Sequence, residues 1–260
     1  MLNTYLTLTR GLLQLPNAPQ TLYTDANLTT YINVARGQLA GEGHCIRRIG
    51  VLNTAISQVS YNFSSIVSTV EGDGLSADPA VAGIIHVRDC FYQVASGWAW
   101  MRPRDFPWYR LYHFNNPVPQ PGAPTLWAQH GQGSSGAGAI TGVGGGTISS
   151  GSLWIDPAPD LIYALNMDVV CYPAALAQDS DPEALPYLWT DAVPYYAAYM
   201  ALLSAQTSER MQAGERYFQI YQQFVQRARQ AATPEINSYL YPQQPDPAMA
   251  NKFGSGGGGR

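Results

Sequence analysis

Four histidines and three cysteines are the residues of this chain best suited to chemistry. His44, His86, His113 and His130 are scattered, and His86 lies in an apolar run where a structural histidine is the expected reading. Cys45, Cys90 and Cys171 are far apart and odd in number. No CxxC or Cys/His spacing surrounds them, so a reduced compartment and no metal are expected. No nucleophile elbow frames a serine, so nothing local supports a Ser/His/Asp or Cys/His triad. An enzyme must be argued from a site rather than a fold, and no such site is assembled here. The expectation is a non-enzyme without a cofactor.

Three further stretches invite a functional reading. Gly131–Gly151 holds nine glycines in 21 residues. A phosphate cradle would need GxxxxGK[ST], and no lysine is near to reach a phosphate. The stretch reads instead as a long loop between strands, of the kind that orders against a partner. Trp98, Trp100, Arg102, Arg104, Trp108 and Arg110 mix indole rings with guanidinium groups. That mixture can stack nucleic-acid bases or a sugar ring, but it is also the composition of protein–protein hot spots, and the acidic chain favours the interface. Asp179-Ser-Asp181-Pro-Glu183 resembles a calcium loop in composition only, lacking the glycine and the distal glutamate. It is expected to be a solvated connector.

The charge balance narrows the classes further. Of 260 residues only 12% are charged, about half the roughly 25% usual for a soluble domain. Thirteen arginines and one lysine, Lys252, face 18 acids, for a net charge of −4. Such a chain is a poor general binder of nucleic acid. Hydrophobic residues at 46% and aromatics at 12% exclude a disordered chain. No apolar run approaches the ~18 residues that span a bilayer. The first residues lack a basic region followed by a continuous apolar core, so no secretory signal is expected. A surface this thin in charge is either neutral and polar or covered by partners.

The elements that must position these residues fall into four parts. Residues 1–45 read as helical. Leu2, Tyr5, Leu6, Leu12 and Leu13 form a weak stripe that Pro16 and Pro19 stop, although Tyr5–Thr9 alternates as a strand would. Thr24 or Asp25 can cap a second helix, in which Leu28, Tyr31, Ile32, Ala35 and Leu39 recur at helical spacing and Gly41 and Gly43 provide the turn. Residues 46–180 read as an antiparallel β-sandwich or barrel, with strands near Ile49–Val51, Val59–Phe63, Ile84–Val94, Tyr109–Phe114, Leu126–Trp127, Leu153–Ile155 and Leu161–Val170. Residues 181–233 read as a helical hairpin. Thr190 and Ser208 are candidate caps, Pro194 falls in a first turn, and Met211, Gly214, Phe218, Tyr221, Val225 and Ala228 form a stripe that requires an antiparallel neighbour. Pro234 ends it, and residues 234–260 read as an extended tail. The fold class is therefore α+β: a helical bundle made from both termini with an antiparallel β-domain inserted.

Three stretches resemble the head–tail adaptor (connector) proteins of tailed bacteriophages, in the group that includes the tail tubular protein A type. The first is Leu28-Thr-Thr-Tyr-Ile-Asn33-Val-Ala-Arg36, similar to the family's early helix. The second is Leu153-Trp-Ile-Asp-Pro157-Ala-Pro159-Asp160 with the strand Tyr163–Cys171. The third is Leu185-Pro186-Tyr187-Leu-Trp189 leading into the alanine-rich helix and ERYFQIYQQFVQRAR. The resemblance implies a structural virion protein at the neck: a ring, commonly of twelve copies, beneath the portal protein, through which double-stranded DNA passes without specific binding. A tail, nozzle or stopper protein would dock on it, and it would have no catalytic residue, no cofactor and no membrane partner. Candidate interface residues are Trp98, Trp100, Arg102, Arg104, Trp108 and Arg110, with Arg227, Arg229, Tyr239, Tyr241, Lys252 and Phe253 towards the C-terminus. The alternatives are a carbohydrate-binding module of a tail protein, suggested by Trp98, Trp100, Trp108 and Trp127, which are expected to be exposed, and a small enzyme with an unrecognised site.

Overall fold

In the computed structural model, residues 1–14, 23–69, 78–94, 97–115, 121–131, 151–204 and 208–232 are described. Helix α1 (Leu2–Leu12) buries Leu2, Tyr5, Leu6 and Thr9. That spacing is helical, so the strand-like alternation of Tyr5–Thr9 is not what governs it. Helix α2 (Asp25–Gly43) starts at Thr24, whose Oγ1 accepts the N–H of Asn27 at 3.3 Å. It buries Leu28, Ile32, Ala35, Arg36 and Leu39. Its left-handed cap is His44, with φ 53°, rather than Gly41 or Gly43. The His44 N–H donates to Ala40 O at 3.1 Å, which holds that conformation without a glycine.

Nine strands follow among the described residues: β1 (Arg47–Asn53), β2 (Ser60–Asn62), β3 (Val67–Thr69), β4 (Val81–Val94), β5 (Gly97–Trp100), β6 (Arg102–Arg104), β7 (Leu126–His130), β8 (Ser152–Asp156) and β9 (Ala164–Pro173). One sheet has the order β3-β1-β9-β4-β5 and is antiparallel throughout. The other has the order β2-β8-β7-β6, and its β6–β7 pair is parallel, which departs from the all-antiparallel expectation. The paired strands β1 and β9 run close together at Gly50. A methyl group there would lie 2.8 Å from Ile66 Cγ2 and 3.1 Å from Val169 Cγ1, so only hydrogen fits. The Tyr109–Phe114 stretch expected as a strand lies in helix α3 (Phe106–Asn115). Pro107 in its first turn suits a helix start, and the i,i+4 pair Tyr109 and His113 is in ring contact at 4.5 Å.

The chain then returns to helix through α4 (Tyr187–Thr190), α5 (Ala192–Ser204) and α6 (Ser208–Ala232). Thr190 does not cap α5; its hydroxyl donates to Tyr187 O inside α4. Helix α6 buries Gly214, Tyr221, Val225 and Ala228, whereas Met211 is exposed. Tyr199 stacks on Phe218 and Tyr195 on Phe224, and the Tyr196 and Tyr221 rings meet at a tilt, so α5 and α6 run antiparallel. Tyr217 OH donates to Leu12 O at 2.8 Å, tying α6 to α1. Arg88 Nη1 on β4 donates to Ala232 O at 2.7 Å. A last-turn carbonyl has no partner within its own helix, so the cation is well placed there. One hydrophobic cluster runs from Tyr5, Leu28 and Ile32 through Val169 and Leu153 to Ala197 and Tyr221. The architecture is mixed α+β, with the helices from the two ends of the chain in mutual contact.

An ion pair sits inside this contact. Arg36 is fully buried. Its Nε lies 3.1 Å from Glu183 Oε2 and its Nη2 lies 2.7 Å from Oε1. Its Nη1 donates to Ala174 O at 2.6 Å and to Asn33 Oδ1 at 3.2 Å. Glu183 also accepts from Tyr5 OH at 2.9 Å and from the Leu185 N–H at 3.0 Å. Asn33 donates to Leu176 O and accepts from Leu176 N–H, both at 2.9 Å. The segment expected to be solvated is therefore solvated only in part. Asp179 is exposed, Asp181 is half-buried and accepts the N–H groups of Ala177 and Gln178, and the Glu183 side chain is buried against Arg36, which requires a counter-charge.

Two histidines meet where α2 joins the first sheet. The His44 and His86 rings are edge to face at 4.7 Å. Burial, then the neighbouring His44, then Arg88, push the His86 imidazole down to about 4. His44 is lowered by burial, Arg229 and Arg88.

Three outcomes are expected. Glu183→Gln should lower stability by about 3–5 kcal/mol in urea unfolding, because it strands the Arg36 charge. Replacing both Arg36 and Glu183 with methionine should lower it less than Glu183→Gln alone. The unfolded chain binds a proton at His86 near pH 6.5, and the folded chain only near pH 4, so stability should fall as pH drops through that window. Urea titrations at several pH values should show a shallower fall in His86→Gln.

Candidate functional site

The segment from β5 to α3 carries the exposed aromatic rings. Along β5 the side chains alternate, so Trp98 and Trp100 share a face, 56% and 64% exposed. Both rest on Phe91 of β4, with ring centroids at 5.4 and 4.8 Å. Met101 is buried, and its N–H donates to Cys90 O at 2.9 Å. The next residue, Arg102, donates its N–H to Thr125 O at 2.8 Å and starts β6 in the other sheet. Arg102, Pro103 and Arg104 are all exposed on that sheet's edge, a position where a proline does no harm.

Helix α3 has an inner and an outer face. Inward, Tyr109 is buried and its hydroxyl donates to Ile155 O at 2.7 Å. Phe106 packs on His130 and Trp154. Outward, Trp108, Leu111 and Tyr112 are exposed at i, i+3 and i+4. Trp108 stacks on Tyr112 at 5.2 Å, and the Arg104 guanidinium lies 4.9 Å from the Trp108 ring centroid. That contact is a cation–π pair at a partly exposed site, worth ~0.5–1 kcal/mol. A cleft lined by Val87, Arg104, Phe106, Trp108, Trp127 and Gln129 runs beneath it.

The structure thus joins Arg104 to Trp108, and joins Trp98 and Trp100 to each other through Phe91. Arg102 and Arg110 are exposed and have no carboxylate partner among the described residues. Trp127 is 5% exposed, which corrects the expectation of an outward ring. It sits on β7, and its indole N–H has no acceptor among the described residues. Arg227 and Arg229 lie exposed on α6, where Arg229 Nε donates to Glu42 O. Tyr239, Tyr241, Lys252 and Phe253 lie outside the described residues, as do Pro16, Pro19, Pro234, residues 132–150 of the glycine stretch and the Ser208 side chain.

One polar pair was not anticipated. His113 Nε2 lies 3.1 Å from Asp156 Oδ1, close enough for an ion pair but not aligned as a hydrogen bond. Burial raises the Asp156 carboxyl and His113 opposes that. Only reading α3 as a helix would have turned His113 towards β8. Among the described residues, no serine, threonine or cysteine side chain is hydrogen-bonded to His113. Burial pushes the Cys45 thiol up to about 11, and Cys90 and Cys171 up to about 12, which leaves them poor nucleophiles. Among the described residues there is no group of three His, Cys, Asp or Glu side chains that could hold a metal ion, and no helix long and apolar enough to cross a membrane. The exposed rings and guanidinium groups of this segment are suited to contact with another surface.

Comparison with curated proteins found no match. The model of the SU10 adaptor protein family matches residues 3–242, a span that takes in all of the strands and helices except the first residue of α1. This agrees with the phage head–tail adaptor resemblance, and the chain belongs to the SU10 adaptor protein family.

Proposed function

We propose that this chain is the subunit of a head-to-tail adaptor ring that docks beneath the portal, extends the DNA channel and provides the surface for tail attachment. The observation that carries this reading is the family match over residues 3–242, which makes the chain a phage adaptor, a structural component of the virion. The contacts among α1, α2, α5 and α6 support a helical bundle built from residues 1–45 and 181–233. The two sheets between them, in residues 46–180, form the inserted β-sandwich. Residues 234–260 are the arm that reaches the portal or a neighbour.

In this reading the chain is not an enzyme and uses no cofactor. Twelve copies pack head to tail, each presenting two different patches. Trp98, Trp100, Arg102, Arg104, Trp108 and Arg110 supply one patch, and Arg227 and Arg229 contribute on the helical side. Tyr239, Tyr241, Lys252 and Phe253 act within the arm. At −4 per chain a ring of many copies is strongly acidic. Its channel repels phosphates, so double-stranded DNA passes without being held. A carbohydrate-binding module is the weaker alternative. Three of its four tryptophans are exposed, but Trp127 is not.

Imaging of assembled particles should place the chain between portal and tail; density for it in a fibre would overturn the reading. Deleting residues 234–260 should reduce the fraction of portals that retain adaptor, scored on purified heads. The isolated protein should be monomeric in mass photometry, and a stable ring there would show that assembly does not wait for the portal.

A further inference from the structure

The five-stranded sheet has one covered face and one open face. Side chains alternate along a strand, so Cys90 and Tyr92 of β4 point one way and Phe91 the other. Cys90 and Tyr92 are buried, and Tyr92 OH donates to Pro124 O just before β7. Gln129 of β7 accepts the Val87 N–H, so this face meets the second sheet. On the open face the register sets one row across all five strands. Val67 lies against Val51, Val51 against Asn166, Asn166 against Phe91 and Phe91 against Trp100. Every member of the row except Asn166 is apolar, and none is fully buried. Asp89 and Asp168 face each other one step along the strands. Asp168 is paired with Arg47, whereas Asp89 is exposed and has no cationic partner among the described residues. Two carboxylates thus share one guanidinium, and one negative charge is unmatched.

Helix α3 lies on the far side and has the complementary character. Leu153 of β8 pairs with Gln129 and is buried towards the first sheet. Trp154 points the other way and meets the rings of Phe106 and Tyr109, so α3 covers the outer face of the second sheet. Away from that sheet α3 presents Trp108 and Leu111, with Arg110 beside them. Asp105 stands next to Arg104 at the start of the helix, which leaves Arg110 as the unmatched cation along it.

We propose that α3 of one copy lies on the open face of the five-stranded sheet of the next copy. Trp108 and Leu111 cover the row from Val67 to Trp100, and Arg110 meets Asp89. This rests on the adaptor-ring reading and deepens it, because the corner at Met101 divides the aromatic patch between opposite sides of the subunit. Two unlike faces on opposite sides cannot satisfy each other within one chain. Head-to-tail repetition matches each with the other. The sizes agree, since a ten-residue helix is about 15 Å long and a row across five strands about 19 Å. Nucleic acid does not suit the open face, where Asp89 and Asp168 would repel its phosphates.

The test uses assembled particles whose full-length chain carries a benzoylphenylalanine photoprobe in place of Leu111, and in a second variant in place of Trp100, both exposed. After irradiation, covalent dimers of the chain are isolated on denaturing gels and mapped by mass spectrometry. The Leu111 probe should join β1, β4 or β5 of a second copy, and the Trp100 probe should join α3. Arg110→Asp and Asp89→Arg should each lower the dimer yield several-fold, and the two combined in one chain should restore it. Adducts to a portal or tail protein, adducts to another surface of this chain, or no adduct from either probe would overturn the inference. A double variant no better than the single ones would overturn it too. If these adducts fail while imaging still places the chain in the neck, only this inference falls and the adaptor reading stands.

Discussion

A guanidinium removed entirely from water must be met on every side, and Arg36 is met by three groups, one from its own helix and two from the connector after β9. Glu183 neutralises it, Ala174 O and Asn33 Oδ1 take the remaining donors, and Tyr5 OH binds the carboxylate from α1. The connector from β9 to α4 is thereby clamped to α2. The clamp adds to the packing of α5 on α1 and α2 and to the bonds from Tyr217 and Arg88 that hold α6. A pair of apolar residues would give comparable stability at this depth. It would not specify the register, which the bidentate carboxylate and the reciprocal Asn33–Leu176 bonds do. The helices of residues 2–43 and 187–232 can therefore meet in one arrangement although the sheets lie between them in sequence.

Much of this was legible in local spacing. The stripes of α2 and α6 report their buried faces because a helix repeats every 3.6 residues whatever it packs on. Asn33 and Arg36 stood in the stretch that carried the family resemblance, but nothing local tells that Arg36 is buried. Its partner lies 147 residues further on. Tyr109–Phe114 was misread because its residues suit a strand by type, while the signal for a helix, Pro107 in a first turn, is brief. Trp127 looked like a surface ring because indoles often are, and only its place on an inner strand makes it core. The parallel β6–β7 pair depends on α3 as its crossover, so it could not be read while α3 was taken as a strand.

The thin charge of the chain also has a more specific meaning. Arg10, Arg36, Arg47 and Arg48 pair with Asp25, Glu183, Asp168 and Asp78. Arg88 and Arg229 hold carbonyls at the ends of α6 and α2. The planar, multi-donor geometry of arginine is thus used to join elements within the chain, a task for which lysine is less suited. Among the described residues the other exposed arginines are Arg102, Arg104, Arg110, Arg210, Arg216 and Arg227, and the first three fall together on the aromatic segment.

That segment leaves one sheet and enters the other at Met101, with no loop between. Its buried side chain and the paired N–H groups of Met101 and Arg102 anchor the crossing to Cys90 and Thr125. A load applied to the outer face of α3 therefore divides between β4 and β7, pulling on two ladders at once instead of peeling one. For a component of a virion, the mechanical strength of this corner bears on function as directly as the chemistry of its surface.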